Sequence, residues 1–345
     1  MKVAIVLFNL GGPDGPDAVE PFLRNLFSDR AIISLPALFR LPLARWIAAR
    51  RAPIARHIYD QIGGGSPIVP ETQAQARALE AALTGVEAKA FIAMRYWHPF
   101  SDGAALAVKA FAPDRIVLLP LYPQFSTTTT ASSFEDWDRA AKKAGVHVPT
   151  TRLCCWPDET GFVTAMAARI RGVAQDLQPG LSYRLLLSAH GLPKRVITKG
   201  DPYQWQVERS AAAIVRELGM PELDSLVCYQ SKVGRLEWIG PATDAEIRSA
   251  GADGKGIIIA PVAFVSEHSE TLVELDIEYA KLAHEAGVKD YRRAPTVGAD
   301  PVFIDGLATL VRQAIASRDS TINSAGSRIC PAQFCRCGLG DRTDA

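Results

Sequence analysis

Short runs of apolar residues without a polar face recur along the chain, and each is followed by a turn and an amphipathic segment. The clearest runs cover residues 3–7, 88–94, 116–120, 183–188, 223–229 and 257–261. A run of this length without alternation predicts a strand buried on both faces, as in a parallel sheet covered by helices. Strands of this kind separated by helical segments predict an α/β fold.

The pattern starts again in the second half of the chain. Residues 117–120 and the hydroxyl-rich turn after them precede a similar stretch, residues 258–261 and their turn, by 141 positions. These parallels predict two similar doubly wound, Rossmann-like halves with a central cleft lined by strand ends. The predicted domains are an N-terminal half with an unusual segment at 31–58, a C-terminal half and a cysteine-rich tail, with bounds 1–157, 158–320 and 321–345.

The stretch 257–279 begins as a buried strand and continues as an amphipathic helix. On that helix four carboxylates would form a single narrow stripe: Glu267, Glu270, Glu274 and Glu278. Ligands of open α/β sheets bind at the carboxyl ends of strands, so the stripe indicates an acidic site. The alternative is a solvated helix face whose acidic first turn suits the helix dipole.

Two of the six histidines, His190 and His268, follow predicted strands of the second half. Histidine beside carboxylates suits either a borderline divalent metal or a proton relay. No HExxH motif and no zinc-ligand spacing lies near them, which argues against a permanently held zinc ion. The alternative for each is a hydrogen-bonded structural histidine.

Segment 31–58 mixes aliphatic and aromatic clusters with five arginines, follows directly on Arg30, and contains no acidic residue. Its prolines, Pro36, Pro42 and Pro53, predict a series of short pieces. A basic surface of this composition suits a membrane interface or a large anionic, apolar ligand. A packed helical hairpin with exposed arginines is the alternative.

Composition narrows the function classes. The formal net charge of +1 provides no global field for nucleic acid, so no nucleic-acid partner is expected. No apolar run reaches the roughly 20 residues of a membrane span. The N-terminus is interpreted as a first strand, not a signal peptide, and predicts a cytoplasmic protein. The glycine loop at 63–65 lacks both the Walker lysine and the GxGxxG spacing, so a nucleotide is not expected.

The cysteines are distributed unevenly. Three of the six, Cys330, Cys335 and Cys337, fall within eight residues near the C-terminus. This spacing is closer to a metal site than to the disulfide framework of a small secreted protein.

Several motifs together resemble those of ferrochelatases. They are Asn9-Leu10-Gly11-Gly12-Pro13, Tyr122-Pro123-Gln124-Phe125-Ser126, Ser188-Ala189-His190-Gly191-Leu192-Pro193, Gln230-Ser231-Lys232-Val233-Gly234 with Trp238-Ile239-Gly240-Pro241, and Phe264-Val265-Ser266-Glu267-His268-Ser269-Glu270-Thr271-Leu272. The resemblance runs from about residue 3 to residue 310. It implies a chelatase-like fold and the insertion of Fe²⁺ into protoporphyrin IX, the last step of haem synthesis, without a nucleotide or organic cofactor. Alternatives are a chelatase for coproporphyrin or a cobalt corrinoid precursor, and a non-catalytic haem or metal carrier.

The resemblance also implies roles for individual residues. His190 and Glu270 would bind the substrate iron, and either could take the pyrrole proton; Glu274 and Glu267, with Glu278 beyond them, would conduct protons or metal. The porphyrin slot would be lined by Leu10, Ile92, Tyr96, Ser231, Trp238 and Phe264, with Arg95 near the propionates. The segment 31–58 would form a lip over the slot and make peripheral membrane contact. A monomer and a homodimer both remain open.

The tail is similar to that of ferrochelatases that carry a [2Fe–2S] cluster. Cys330, Cys335 and Cys337 would be three ligands. Where the animal-type pattern has its remote ligand this chain has Thr127, so the resemblance to bacterial relatives makes Cys154 or Cys155 the fourth. Adjacent residues on a strand point to opposite faces, so only one of the two is expected to serve. Zinc is the less favoured alternative, and Cys228 is expected in the core.

Overall fold

The computed structural model describes residues 1–234 and 236–340. The end of the predicted tail, 341–345, lies outside the described residues. The strands, in chain order, are β1 (Lys2–Asn9), β2 (Glu87–Met94), β3 (Arg115–Pro120), β4 (Thr150–Leu153), β5 (Tyr183–His190), β6 (Asp224–Gln230), β7 (Gly256–Pro261), β8 (Tyr291–Arg293) and β9 (Thr321–Ile322).

The helices lie between these strands. They are α1 (Val19–Ser28), α2 (Ala37–Asp60), α3 (Ile68–Ala82), α4 (Ser101–Phe111), α5 (Thr130–Ala144), α6 (Thr160–Ala174), α7 (Lys194–Ile197), α8 (Tyr203–Leu218), α9 (Thr243–Ala252), α10 (Ser269–Leu272), α11 (Tyr279–Glu285) and α12 (Pro301–Ala316). A π-helical segment, Glu274–Glu278, connects α10 to α11. No helix in the described part of the chain is long and apolar enough to cross a membrane.

The chain forms two compact units. The first unit comprises Met1–Tyr122, Ser126–Cys154 and Ala308–Ile322, and the second comprises Pro123–Phe125, Cys155–Leu307 and the residues from Asn323 onward. The change of unit at residues 154 and 155 lies close to the predicted boundary at 157. However, residues 308–320, predicted in the second half, belong to the first unit, because α12 continues into β9, which pairs with β4.

Each unit contains one parallel sheet, and the two sheets share a strand order. The first runs β2-β1-β3-β4-β9 and the second β6-β5-β7-β8. In both, the first strand along the chain lies between the next two, as in doubly wound folds. The corresponding strands of the two sheets, β3 and β7, begin and end 141 residues apart, which matches the spacing of the repeated sequence. The prediction of two similar α/β halves is confirmed.

The cores consist of the apolar strands and the helix faces that cover them. In the second unit Leu186, Ile257 and Ile259 pack with Leu275, and Cys228 lies in the same cluster with no exposed surface. Cys228 is therefore a core residue, as predicted. Burial raises the pKa of its thiol to about 12, so the side chain stays protonated and apolar.

Segment 31–58 differs from its prediction, because most of it belongs to the single 24-residue helix α2 despite Pro42 and Pro53. A proline inside a helix costs about 3 kcal/mol, so packing must offset it. Small residues at helical spacing supply that packing: Ala44, Ala48 and Ala52 are buried on one face. This face meets α1 in an apolar cluster of the first unit.

Candidate active site

The candidate active site lies in the second unit, at the carboxyl ends of β5 and β7. β5 ends at His190, which pairs in register with Gln230 at the end of β6. β7 lies on the other side of β5 and ends at Pro261, opposite Ser188. The next two strands along the chain, β6 and β7, lie on opposite sides of β5, which makes this edge the switch point where doubly wound sheets bind ligands.

His190 is oriented by the backbone around it. Its Nδ1 lies 2.6 Å from the carbonyl oxygen of Gly191, a contact that requires the proton on Nδ1. In the neutral form of His190, Nε2 is therefore the nitrogen with the free lone pair, and it lies 3.6 Å from Oε1 of Glu270. The buried hydroxyl of Tyr203 donates to the His190 carbonyl oxygen at 3.0 Å and holds the strand end from behind.

Glu270 lies between two histidines. Its second oxygen, Oε2, is 3.7 Å from Nε2 of His268. Burial alone would raise the pKa of this carboxyl, but the positive charge that His190 and His268 carry when protonated lowers it to about 2. At neutral pH Glu270 is therefore a carboxylate beside two imidazole rings, and carboxylate with imidazole is a combination that binds borderline divalent metals.

The position of Glu270 follows from the start of its helix. His268 precedes α10, and its backbone N–H donates to the Thr271 hydroxyl at 3.0 Å as part of a capping box. This cap satisfies backbone groups that would otherwise lack partners at the helix start. It also directs Glu270, in the first turn, towards the end of β5.

Glu274 lies one turn later and is held by four donors. Its carboxylate accepts hydrogen bonds from the backbone N–H of Ser231 at 2.8 Å, the Ser231 hydroxyl at 2.6 Å, the Gln230 amide at 2.9 Å and the Tyr279 hydroxyl at 3.1 Å. Burial and the negative charge of Glu270 nevertheless raise the pKa of Glu274 above that of an ordinary glutamate. The two neighbouring carboxyls thus have pKa values shifted in opposite directions, a pattern typical of acid–base sites.

The other two carboxylates of the predicted stripe lie elsewhere. Glu267 precedes the helix and accepts from the Arg293 guanidinium and the Thr296 backbone N–H, both at 2.9 Å. Glu278 is exposed. The stripe is not continuous because the helix widens into a π-turn, where the Glu278 N–H donates to the Val273 carbonyl oxygen at 2.9 Å.

Three of the predicted slot residues lie around this group in the second unit. Trp238 is 6.5 Å from the His190 ring, and Phe264 is 4.6 Å from the His268 ring, between ring centroids. Ser231 binds Glu274 and adopts a left-handed backbone with φ of 64°, which strains a residue other than glycine. At Gly191 there is no room for a side chain, because a Cβ there would lie 2.9 Å from the Gln230 carbonyl oxygen.

The remaining slot candidates belong to the first unit. Leu10 and Ile92 are half-buried at the carboxyl ends of β1 and β2. Tyr96 is 1% exposed in the α1–α2 cluster and donates to Asp29 at 2.8 Å, so its ring is enclosed by protein. Arg95 pairs with the same Asp29 at 2.8 Å and with Ser132 at 2.7 Å, so a carboxylate already balances its charge.

The cysteines of the tail lie near an earlier part of the second unit. A hydrogen bond with Cys337, burial and the charge of Cys155 raise the pKa of the Cys330 thiol. The Gln206 amide donates to the Cys330 sulfur at 3.1 Å. Cys335 is exposed, and its sulfur lies 3.7 Å from the Lys199 carbonyl oxygen. Among the described residues, no three His, Cys, Asp or Glu side chains are arranged closely enough to hold a metal ion.

Two donors to Glu274 were missed by sequence reasoning: Gln230 and Tyr279. His268 was singled out in advance, because it stands directly before the helix that bears the carboxylates. Tyr279 had no usable signal, since it reaches Glu274 only across the π-turn, at a spacing that helical periodicity does not predict.

Comparison with known proteins identifies close relatives over almost the whole chain. The family model described as ferrochelatase matches residues 2–315. A ferrochelatase of Caulobacter vibrioides is 56% identical over 340 residues, which cover 97% of each chain. A ferrochelatase of Phenylobacterium zucineum is 54% identical over 343 residues, 98% of each chain.

Solved structures agree at the level of the fold. SirB from Bacillus subtilis with Fe³⁺ superposes with a TM-score of 0.54 at 16% identity, covering 92% of this chain and 96% of that one. The sirohydrochlorin chelatase SirB of the subspecies spizizenii, in complex with cobalt, gives 0.52 at 14% identity, covering 91% and 95%. The two-halved fold is therefore one that chelatases adopt.

Proposed function

The chain belongs to the ferrochelatase family, and we propose that it inserts Fe²⁺ into protoporphyrin IX to form protohaem. The main support is the group formed by His190, Glu270 and His268 at the switch point of the second sheet. It brings a carboxylate oxygen and imidazole nitrogens together, and a carboxyl that takes up protons, Glu274, lies beside it. A porphyrin must exchange two pyrrole protons for one divalent ion, and these residue types serve both halves of that exchange.

His190 and Glu270 are the proposed iron ligands. The proton on Nδ1 of His190 is engaged by the Gly191 carbonyl oxygen, so Nε2 presents its lone pair on the side of Glu270. Imidazole and carboxylate together bind Fe²⁺ without the permanence of a thiolate site. Such intermediate affinity suits a metal that must be passed on to the four porphyrin nitrogens.

Glu274 is the proposed acceptor for protons that leave the porphyrin. Its pKa is raised by burial and by the charge of Glu270, so it binds a proton more readily than an ordinary glutamate. Four hydrogen bonds hold it in place, which makes it a fixed relay group and not a mobile metal ligand. The proposed conduit therefore runs through Glu274, without Glu267, whose negative charge is balanced by Arg293.

Trp238 and Phe264 are the proposed apolar surfaces for the porphyrin in the second unit. Each ring lies against one of the two histidines, so a flat apolar ligand that contacts the rings would bring its centre towards those imidazole nitrogens. Leu10 and Ile92 are proposed for the same role in the first unit.

We also propose that Cys330, Cys335, Cys337 and Cys155 hold a [2Fe–2S] cluster, with zinc as the alternative. Four cysteine sulfurs are the usual donor set for this cluster. Cys155 belongs to the same unit as the tail and lies close enough to raise the pKa of Cys330, whereas Cys154 belongs to the first unit. Cys330 and Cys337 fit the cluster directly, and Cys335 would have to turn from the Lys199 carbonyl oxygen. The bound group would link the tail to residue 155.

Peripheral membrane contact through α2 is proposed from its exposed face. Leu38 and Ile54 are 78% and 67% exposed, and Phe39 and Trp46 are also exposed. The Arg50 guanidinium lies 5.1 Å above the Trp46 ring, so cationic and apolar groups share the surface. This composition is typical of helices that lie in the interface of an anionic bilayer. A cytoplasmic protein would meet the inner leaflet in this way.

An anaerobic insertion assay tests the proposed activity. Purified protein, Fe²⁺ and protoporphyrin IX should give haem, with coproporphyrin as the comparison. His190→Ala should lower kcat by about a hundredfold or more, whereas His284→Ala, an exposed histidine on α11, should stay within about twofold of the parent. Absence of haem formation by the parent, or faster insertion into coproporphyrin, would contradict the proposed reaction; full activity of His190→Ala would contradict the mechanism.

A further inference from the structure

We propose that Arg293 is a positioning residue that holds the π-turn Glu274–Glu278 in place by binding Glu267, before α10, and Asp276, inside the turn. Arg293 ends β8, and its side chain is 13% exposed. Its Nη1 donates to Glu267 at 2.9 Å, while Nε and Nη2 donate to the two oxygens of Asp276 at 2.5 and 2.8 Å. The proposal rests on the iron-insertion function, because it concerns how the two carboxylates of that site are placed.

The two partners of Arg293 bracket the site. Glu267 lies three residues before Glu270, and Asp276 lies two residues after Glu274. Residues two apart on a helix point to nearly opposite faces, so Asp276 turns towards β8 while Glu274 turns towards Ser231. One guanidinium therefore fixes the entry and the far side of the segment that carries both carboxylates. A bidentate fork on Asp276 sets direction as well as distance, which a lysine would not do.

The π-turn needs such support. A π-helical turn inserts one extra residue and is less favourable than an α-turn, so it persists where other contacts hold it. In an α-helix the carbonyl oxygen of Leu275 would accept from the Tyr279 N–H, but that N–H donates to Glu274 instead. The Tyr291 hydroxyl donates to the Leu275 carbonyl oxygen at 2.7 Å in its place. Tyr291 and Arg293 are two residues apart on β8 and therefore lie on the same face of the strand. This short strand contacts the turn at two points, Leu275 and Asp276.

The contacts of Arg293 with Glu267 and Asp276 are called the clamp here. Loss of the clamp would displace Glu274. If the π-turn relaxed to an α-helix, the residues after it would rotate by about 100°, the angle between successive helical residues. Tyr279 would then lose its place beside Glu274. Two partly buried carboxylates, Glu267 and Asp276, would also lose their common counter-charge. Glu270 would keep its cap from His268 and Thr271, so the change would fall mainly on the proton acceptor.

The test compares Arg293→Gln and Arg293→Lys with Arg292→Gln. Arg292 is the adjacent residue on β8 and pairs only with Asp290 among the ion pairs of the described chain. We expect Arg293→Gln to lower kcat by roughly 10- to 100-fold, because small misplacements of reacting groups have effects of that size. KM for the porphyrin should change little, Arg293→Lys should recover part of the loss, and Arg292→Gln should stay within about twofold of the parent.

Hydrogen exchange supplies a measurement that is independent of turnover. The amides of Glu278 and Tyr279, which form the π-type hydrogen bonds, should exchange faster in Arg293→Gln and unchanged in Arg292→Gln. If Arg293→Gln does not fold, Asp276→Asn removes the fork and leaves the Glu267 contact. A folded variant with unchanged kcat and unchanged exchange at these amides would overturn the proposal. If the parent protein had no chelatase activity, the proposed function would be refuted. The exchange rates of the Glu278 and Tyr279 amides would still show whether Arg293 holds the π-turn.

Discussion

At the scale of single residues, the notable feature is the contrast between Glu270 and Glu274. They lie four residues apart and face the same strand ends, yet their pKa values shift in opposite directions. Burial disfavours the charge on both. Glu270 overcomes it because two histidines flank it, whereas at Glu274 burial and the negative charge of Glu270 outweigh the neutral donors and the smaller attraction of His190. These surroundings support the proposed division of roles, with metal binding at Glu270 and proton uptake at Glu274.

This contrast predicts the pH dependence of the reaction. Because the pKa of Glu270 is about 2, it stays ionised on moving from neutral to mildly acidic pH. Glu274 has a raised pKa, so it takes up a proton at a higher pH than Glu270 does, after which it cannot accept another. We therefore expect kcat/KM to be highest above the pKa of Glu274 and to fall as the pH drops through it.

Glu274→Gln isolates that residue. The amide keeps an oxygen for Ser231 but cannot take a proton, so kcat should fall by about a hundredfold. The acidic decline assigned to Glu274 should be absent from the remaining activity. Glu285→Gln, an exposed residue on α11, is the matched control. An unchanged pH profile in Glu274→Gln would show that another group receives the proton.

At the scale of elements, the strand ends were predictable and the helix that faces them was only partly so. The ends of β5 and β7 follow from apolar runs that stop at His190 and Pro261. The π-turn did not follow, because the periodicity of the carboxylates fits a regular helix equally well. In our proposal the π-turn is favoured over a regular helix by Arg293, which contacts Glu267 from β8. A long-range contact of that kind leaves no local signal in the sequence.

The helix α2 was also mispredicted because its stability depends on a long-range contact. Its prolines predicted breaks, but a stripe of buried alanines holds it together against α1. The local cost of each proline is visible in the sequence, whereas the packing that offsets it depends on where α1 lies. The sequence therefore predicted that this surface would be basic and apolar, but not that it would lie on one continuous helix.

The exposed face of α2 predicts membrane binding. Replacing Leu38 and Phe39 with serine removes two exposed apolar side chains and should weaken binding to phosphatidylserine-containing vesicles about tenfold or more. Leu106→Ser on α4, at a position that is 61% exposed, is the control. Co-sedimentation measures both. Equal binding by the parent and the double variant would exclude this face as the contact.

The turn after β5 predicts an effect of a single methyl group. In Gly191→Ala the new Cβ would lie 2.9 Å from the Gln230 carbonyl oxygen and 3.1 Å from the Trp238 ring. We expect a loss of about 1–3 kcal/mol in the free energy of unfolding, as for other overpacked sites, together with a lower kcat.

Gly172→Ala in α6, where a Cβ would meet nothing within 4 Å, is the control for that substitution. It should raise the free energy of unfolding by about 0.5–1 kcal/mol, because alanine favours the helix. Denaturant titration distinguishes the two variants. Equal stability changes of the same sign would show that the close approach at Gly191 is not constrained.

At the scale of the whole molecule, the chain crosses between its two units more often than a simple division into halves predicts. The return of residues 308–322 to the first sheet places β9 beside β4, and the tail then joins the second unit. The repeated sequence predicted the shared strand order but not this exchange, because β9 is only two residues long. The cysteine tail therefore lies in the same unit as Cys155.

This arrangement predicts which of the two adjacent cysteines holds the cluster. Protein purified in air should absorb visible light, and Cys155→Ser should lose that absorbance and its non-substrate iron. Cys154→Ser, equally buried but in the first unit, should keep both. The cluster would close a long loop between residue 155 and the tail, so Cys155→Ser should also lower the melting temperature towards that of the iron-depleted parent. Colourless protein with one bound zinc would refute the cluster, and bleaching by Cys154→Ser alone would reassign the fourth ligand.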